Sequence, residues 1–218
     1  MAESKKEQIE TLFDQKFLRV YDLKYAPTGH YYNASRRAKE DLAAVKEDAE
    51  FKKMLPDAVS CVVILKGKDG SAKLLLTKEY RYPVGQYLLS VPAGLMDPED
   101  AEEEQPLFAT AKRELWEETG MVLTENDRMS VVNPLLFSSP GMTDESNAIV
   151  CVVVERDDLN GLTQDGAVGQ EKFDGFVLTD LETAKKYLNG GRDGDGIFYS
   201  VFTWIALMWF VSGMWKEA

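Results

Sequence analysis

The sequence predicts an α+β fold, a mixed sandwich of β-hairpins with a few helices interposed. Three observations carry that expectation. Two β-rich runs, residues 60–65 and 73–79, flank Gly67-Lys68-Asp69-Gly70-Ser71, a hairpin signature. Further strand-like runs follow at 129–136, 147–155 and 175–178, and helices do not alternate with them one for one, as a doubly wound parallel sheet requires. The chain has 218 residues, 44% of them apolar, enough for one large domain with an appendage and a real core.

Taken in order, residues 1–57 mix charged and aromatic side chains and read as an N-terminal β-rich extension. Within it a strand is expected at 17–25, a turn at Ala26-Pro27-Thr28-Gly29, and a charged helix or loop at 39–53. The hairpin opens the main domain, 58–218, and a short strand follows at 87–92. Residues 106–119 form the clearest helix, with Pro106 in its first turn and Gly120 just past its end. After the later strands come a helix at 181–188 and an apolar C-terminal helix.

Composition excludes several classes of function. The 25 Lys and Arg stand against 37 Asp and Glu, a net charge of −12, and no basic patch relieves it, so nucleic acid is not an expected partner. His30 is the single histidine, too few for a multi-histidine zinc site or a histidine-based triad. Cys61 and Cys151 lie inside apolar strand runs and read as core thiols. The charged start of the chain lacks an apolar signal region, so a cytoplasmic location is expected. Residues 197–215 carry no charged side chain and are about long enough to cross a bilayer, but the near flanks offer only Arg192 beside Asp193 and Asp195, and Lys216 beside Glu217, so a buried helix is expected instead of a membrane span.

The helix at 106–119 carries the chemistry. Successive residues turn by about 100°, which puts Phe108, Ala111 and Leu115 on one apolar stripe. Glu114, Glu117 and Glu118 then share an adjacent arc of about 100°, one turn apart. A solvated face is the ordinary explanation of such a charge run, but clustered carboxylates on a rigid helix also suit a hard divalent cation.

The string Arg113-Glu114-Leu115-Trp116-Glu117-Glu118-Thr119-Gly120-Met121 resembles the core of the Nudix signature, R-E-U-x-E-E-x-G-U, at every fixed position. That resemblance implies a Nudix fold, mixed β-sheets sandwiched between helices, and a site for Mg²⁺, or for Mn²⁺. Carried over residue by residue, Glu114 and Glu118 are the main metal ligands, Glu117 is a further or water-mediated one, and Ala93 offers its carbonyl. Arg113 orients a glutamate. The first half of the signature departs from the family: Asp100 stands where a glutamate belongs, and about five extra residues lengthen the loop before the helix.

Outside that signature, Glu79-Tyr80-Arg81-Tyr82-Pro83, Pro92-Ala93-Gly94-Leu95-Met96-Asp97 and Ser139-Pro140-Gly141 are similar to segments of the ADP-ribose pyrophosphatase-like subfamily. This implies hydrolysis of ADP-ribose to AMP and ribose 5-phosphate. Arg81 is then expected on the diphosphate, Tyr32 on the adenine, and Arg37 on the ribose phosphate. Glu171 is the candidate general base and Glu145 its rival. The resemblance also implies a homodimer with a small nucleotide-sugar substrate. Two alternatives share the signature: a pyrophosphatase for another nucleotide sugar such as GDP-mannose or ADP-glucose, and a non-catalytic module that senses ADP-ribose.

Overall fold

The computed structural model describes residues 8–156, 158–166 and 171–217. The chain divides into two compact units, one of Met1–Asp57 with Leu135–Asn147, the other of Ala58–Pro134 with Ala148–Ala218.

The first unit is built on three antiparallel strands in the order β1 (Ile9–Asp14), β2 (Arg19–Ala26), β3 (Gly29–Ser35). Its small core joins Ile9, Tyr21, Leu42 and Val45, with Leu23 packed against them. Tyr21 and Leu23 are two residues apart and so point to one face of the sheet. The expected turn at 26–29 links β2 to β3, as Ala26 pairs with Gly29. The charged segment from residue 39 forms two single 3₁₀ turns and one short helix, α1 (Asp48–Phe51), closed by a capping box between Glu47 and Glu50. The loop that follows residue 137 returns to this sheet: the Ala34 N–H donates to the Met142 carbonyl at 2.9 Å, and the Tyr31 hydroxyl donates to the Gly141 carbonyl at 2.9 Å.

The second unit holds a seven-stranded sheet of β4 (Ala58–Lys66), β5 (Ala72–Arg81), β6 (Gln86–Ser90), β7 (Ala93–Leu95), β8 (Arg128–Phe137), β9 (Ser146–Glu155) and β10 (Phe173–Thr179). Residues 135–137 and 146–147 of β8 and β9 count with the first unit. The path runs β10-β5-β4-β9-β8, with β6 paired to β5 and β7 to β4. Its central strands β4 and β9 are buried at nearly every position, which is why they read as unbroken apolar runs without alternation.

Helices cover both faces. The long helix α3 (Pro106–Thr119) seats Ala111 and Leu115 in a core with Val59, Cys61, Val63, Leu75, Val150 and Val152. The short α2 (Pro98–Ala101) precedes it. The pair α4 (Leu181–Gly190) and α5 (Val201–Ser212) follows β10. The apolar C-terminal segment starts at a Ser200 cap and buries Ala206, Leu207 and Phe210, while Thr203 donates to the Leu89 carbonyl of β6 at 2.7 Å. Val201, Trp204 and Met208 stay exposed, so this helix is buried on one face and not all round. Its 12 residues fall short of a bilayer's width, and no helix among the described residues is long and apolar enough to cross a membrane.

Candidate active site

The site grows from the C-terminal half of α3, whose apolar stripe is pinned to the sheet and therefore fixes where its acidic stripe points. Glu114 and Glu118 are buried, 6% and 2% exposed, and Glu117 is half-buried beside them. The helix stops one residue after Glu118, where Gly120 takes a left-handed conformation (φ 65°) and donates back to the Trp116 carbonyl at 2.8 Å.

Arg113 organises the upper half of this face. One guanidinium nitrogen, Nη1, lies 2.7 Å from Glu114 and 3.3 Å from Glu117. The other, Nη2, donates to Asp100 at 2.8 Å and to the Leu95 carbonyl at 2.6 Å, and Nε donates to Asp100 at 3.1 Å. Asp100, the residue at the signature's departing position, is thus buried against Arg113, while Glu104 in the inserted loop is exposed. Asp97 caps α2 and its N–H donates to Asp100, so the lengthened loop still delivers a carboxylate to the arginine.

The strand β7 forms the wall opposite the helix. The Ala93 N–H donates to Glu118 Oε1 at 3.4 Å. At Gly94 the Glu114 carboxylate lies against the backbone, so that a Cβ there would overlap it and force that carboxylate to move.

A further acidic residue faces the same region. Glu79 on β5 is 7% exposed, and its carboxylate holds Arg81 Nη2 at 2.6 Å. The two are separated by one residue and share a face of the strand. β10 pairs antiparallel with β5, Phe173 opposite Glu79, and the Tyr80 N–H donates to the Lys172 carbonyl at 2.8 Å. Continuing that register sets Glu171 across from Arg81, on the face that carries Glu79.

The electrostatics follow from packing so many carboxylates together. Burial pushes the Glu114 carboxyl up to about 7, with Arg113 opposing the shift and Glu117 and Glu171 adding to it. Burial also drives Glu118 well above the usual carboxylate range, and the charges of Glu79, Glu114 and Glu171 push it further. Glu79 is raised as well, chiefly by burial, against the pull of Arg81 and Ser90. Glu118 Oε2 is buried without a hydrogen-bond partner. Among the described residues no three His, Cys, Asp or Glu side chains have converged to hold an ion, because Arg113 draws Glu114 and Glu117 together while Glu118 turns to Ala93. The donor set nevertheless fits a divalent cation: all are hard oxygens, one is orphaned, and their charge is only partly offset by Arg113.

The second unit therefore gathers Arg113, Glu114, Glu117, Glu118, Ala93, Arg81 and, through its charge, Glu171. The remaining residues expected from sequence, Tyr32, Arg37 and Glu145, lie in the first unit. Tyr32 is 60% exposed and stacks on His30. Arg37 is largely buried, with Nη2 at 2.8 Å from Asp57 and 3.0 Å from Ser146 Oγ, and Glu145 is ion-paired to Arg36 at 2.9 Å. Glu79 is the residue that sequence reasoning passed over. Strand alternation was the available signal, since whatever face Arg81 occupies Glu79 must share.

An acidic helix braced by an arginine and packed against a glycine-bearing strand is the arrangement expected of a fold built around one signature helix. The family model for the NUDIX domain matches residues 54–195, and the chain belongs to the Nudix family. It is 37% identical over 101 residues to putative nudix hydrolase 2 of Caenorhabditis elegans, covering 46% of this chain and 41% of that protein. It is 36% identical over 100 residues to an ADP-ribose pyrophosphatase of Saccharomyces cerevisiae, 45% and 39% of the two chains. It is 31% identical over 117 residues to an ADP-sugar pyrophosphatase of Mus musculus, 54% and 50% of the two chains. The matched segments thus span about half or less of these relatives. Among solved structures, one described as an ADP compounds hydrolase shares the fold at a TM-score of 0.53 and 19% identity, over 96% of this chain and 91% of that one.

Proposed function

We propose that this chain hydrolyses the diphosphate bond of ADP-ribose, giving AMP and ribose 5-phosphate. The observation that carries the reading is the placement of Arg81 beside buried Glu79, across the ladder from Glu171 and on the face that meets the acidic stripe of α3. A guanidinium fork suits diphosphate oxygens, and the surrounding carboxylates suit the cations that accompany such a substrate. The names of the yeast and mouse relatives, an ADP-ribose and an ADP-sugar pyrophosphatase, support the same substrate class.

In this reading Glu114, Glu118 and, at the rim, Glu117 hold Mg²⁺ or Mn²⁺, with the Ala93 carbonyl as a further donor. Bound there, the ion supplies Lewis-acid polarisation of the phosphoryl oxygens and lowers the pKa of water. Arg113 keeps the ligand carboxylates in place. Arg81 turns from Glu79 to the diphosphate and fixes it for in-line attack. Glu171 takes the proton of a water as its oxygen bonds to one phosphorus, and the bridging P–O bond breaks toward the other phosphate. The exposed ring of Tyr32 offers a stacking face for adenine, and a homodimer is the expected assembly. In this reading Arg37 and Glu145 keep the ion pairs that they make within the first unit, Arg37 with Asp57 and Glu145 with Arg36, and Glu171 is taken as the base in preference to Glu145.

The test is phosphate release, after coupling to a phosphatase, from ADP-ribose, ADP-glucose, GDP-mannose and NADH with Mg²⁺. Preference for ADP-ribose, with KM raised at least tenfold in Arg81→Ala and kcat collapsed in Glu118→Gln, is the expected result. Binding of ADP-ribose without turnover of any substrate, with either metal, would replace this reading by the sensor alternative. Preference for another nucleotide sugar would move the substrate and leave the chemistry.

A further inference from the structure

Glu171 and Lys172 are consecutive, so on an extended segment they point to opposite faces of the sheet. Glu171 takes the face of Glu79 and Arg81, and Lys172 takes the face of Tyr80 and Tyr82. There the Lys172 ammonium lies 5.9 Å from the centre of the Tyr80 ring and 5.5 Å from that of Tyr82. The rings form a small cluster of their own: Tyr80 meets Tyr82 edge-on at 5.1 Å and Tyr87 at 5.2 Å between centroids. Both distances from the ammonium are within the range of a cation–π attraction.

The backbone makes this contact matter. The β5–β10 ladder is irregular between Phe173 and Phe176, where Gly175 has a φ of 82°. That bulge separates residues 171–173 from the regular ladder of residues 176–179. The backbone hydrogen bond from Tyr80 to Lys172 marks the register of this end, and a slip of one residue would exchange the faces of Glu171 and Lys172. The exchange would take the ammonium off both tyrosine rings and turn the Glu171 carboxylate toward their electron-rich faces, so the cation–π contact favours the observed register.

We infer that Lys172, held by Tyr80 and Tyr82, is a positioning residue that latches the start of β10 in the register presenting Glu171 to the acidic centre. The inference rests on the reading of Glu171 as the base and extends it to the opposite face of the sheet. Lys172 itself touches neither substrate nor cation.

The experiment compares Lys172→Met, Lys172→Arg and Tyr82→Leu in parent and Glu171→Gln backgrounds, with ADP-ribose and Mg²⁺, after thermal unfolding has shown each variant folded. Tyr82→Leu reports on the latch from its other side should a lysine variant fail to fold. The expected result is a kcat lowered about tenfold in Lys172→Met and in Tyr82→Leu at nearly unchanged KM, as misplacement of a catalytic group predicts. Lys172→Arg, which keeps a cation on the rings, restores kcat to within about twofold of the parent. In the Glu171→Gln background Lys172→Met changes nothing further. Parent-like kcat in Lys172→Met, or a loss that multiplies onto that of Glu171→Gln, would overturn the latch while leaving the base assignment standing. Parent-like kcat in Glu171→Gln would overturn the base assignment, and the latch with it.

Discussion

Arg113 and Asp100 meet through two hydrogen bonds to one carboxylate oxygen, 2.8 Å from Nη2 and 3.1 Å from Nε, although an inserted loop separates them in sequence. Burial alone would raise the Asp100 carboxyl, but the hydrogen bonds and charge of Arg113, with the Asp97 N–H, outweigh it and hold it below its ordinary value of 3.8. A carboxyl lowered in the folded state adds stability that is present above the unfolded pKa and lost as pH falls through the folded one. Asp100→Asn is therefore expected to cost about 1–3 kcal/mol at neutral pH. It should also flatten the fall of Tm below pH 3.8, and thermal unfolding across that range checks both.

Glu118→Gln should have opposite effects on stability and on function. Without a cation it replaces a buried, repelled carboxylate, one of whose oxygens has no partner, by a neutral amide, so Tm in a chelator is expected to rise. With Mg²⁺ the parent gains stability by mass action and the variant gains much less. Thermal scans with EDTA and with excess Mg²⁺ separate the two; a variant stabilised as strongly by Mg²⁺ as the parent would remove Glu118 from the ligand set.

Gly94→Ala places a methyl group where the Glu114 carboxylate now sits. Overpacking of this kind costs about 1–3 kcal/mol, and here the group displaced is a candidate ligand. Loss of Tm together with weaker Mn²⁺ binding, read by electron paramagnetic resonance, is expected.

Arg37 offers a separation of structural from substrate roles. Its guanidinium and the Asp57 carboxylate are both nearly enclosed, 13% and 12% exposed, so Arg37→Ala strands a buried negative charge. Breaking such a pair costs about 3 kcal/mol, and KM for ADP-ribose should be unchanged at temperatures where the variant is folded. A raised KM at parent Tm would restore Arg37 to the substrate.

Both cysteines should be inert in the native protein. Burial pushes the Cys151 thiol up to about 11 and lifts Cys61 well above its ordinary value, with the charges of Glu118 and Glu114 adding to the latter. At about pH 8 the thiolate fraction of Cys151 is on the order of one in a thousand. An Ellman titration is expected to find both thiols only after denaturation.

The sequence showed its structure wherever one physical signal dominated. The helix Pro106–Thr119 was legible to the residue because proline, glycine and an apolar stripe agree, and β4 and β9 were legible because burial on both faces leaves an apolar run. β1 was not, since five of its six residues are exposed and its register breaks between Thr11 and Phe13. Neither was β7, three residues long, nor α2, a single turn. In the site, α3 announced itself through its spacing, but Glu79 came from a strand whose partner across the sheet is almost a hundred residues away. Alternation ties Glu79 to the face of Arg81, but the long-range register that sets Glu171 on that face leaves no local trace, and neither does the buried pairing of Arg37, which depends on a loop from the middle of the chain.

The last turn of α3 has a meaning of its own. It carries Glu117 and Glu118 and no basic residue, at the end where aligned carbonyl dipoles already favour positive charge. An ion bound there, as proposed, would meet the carbonyl end of the helix as well as the carboxylates, and so would offset at one point two sources of negative potential.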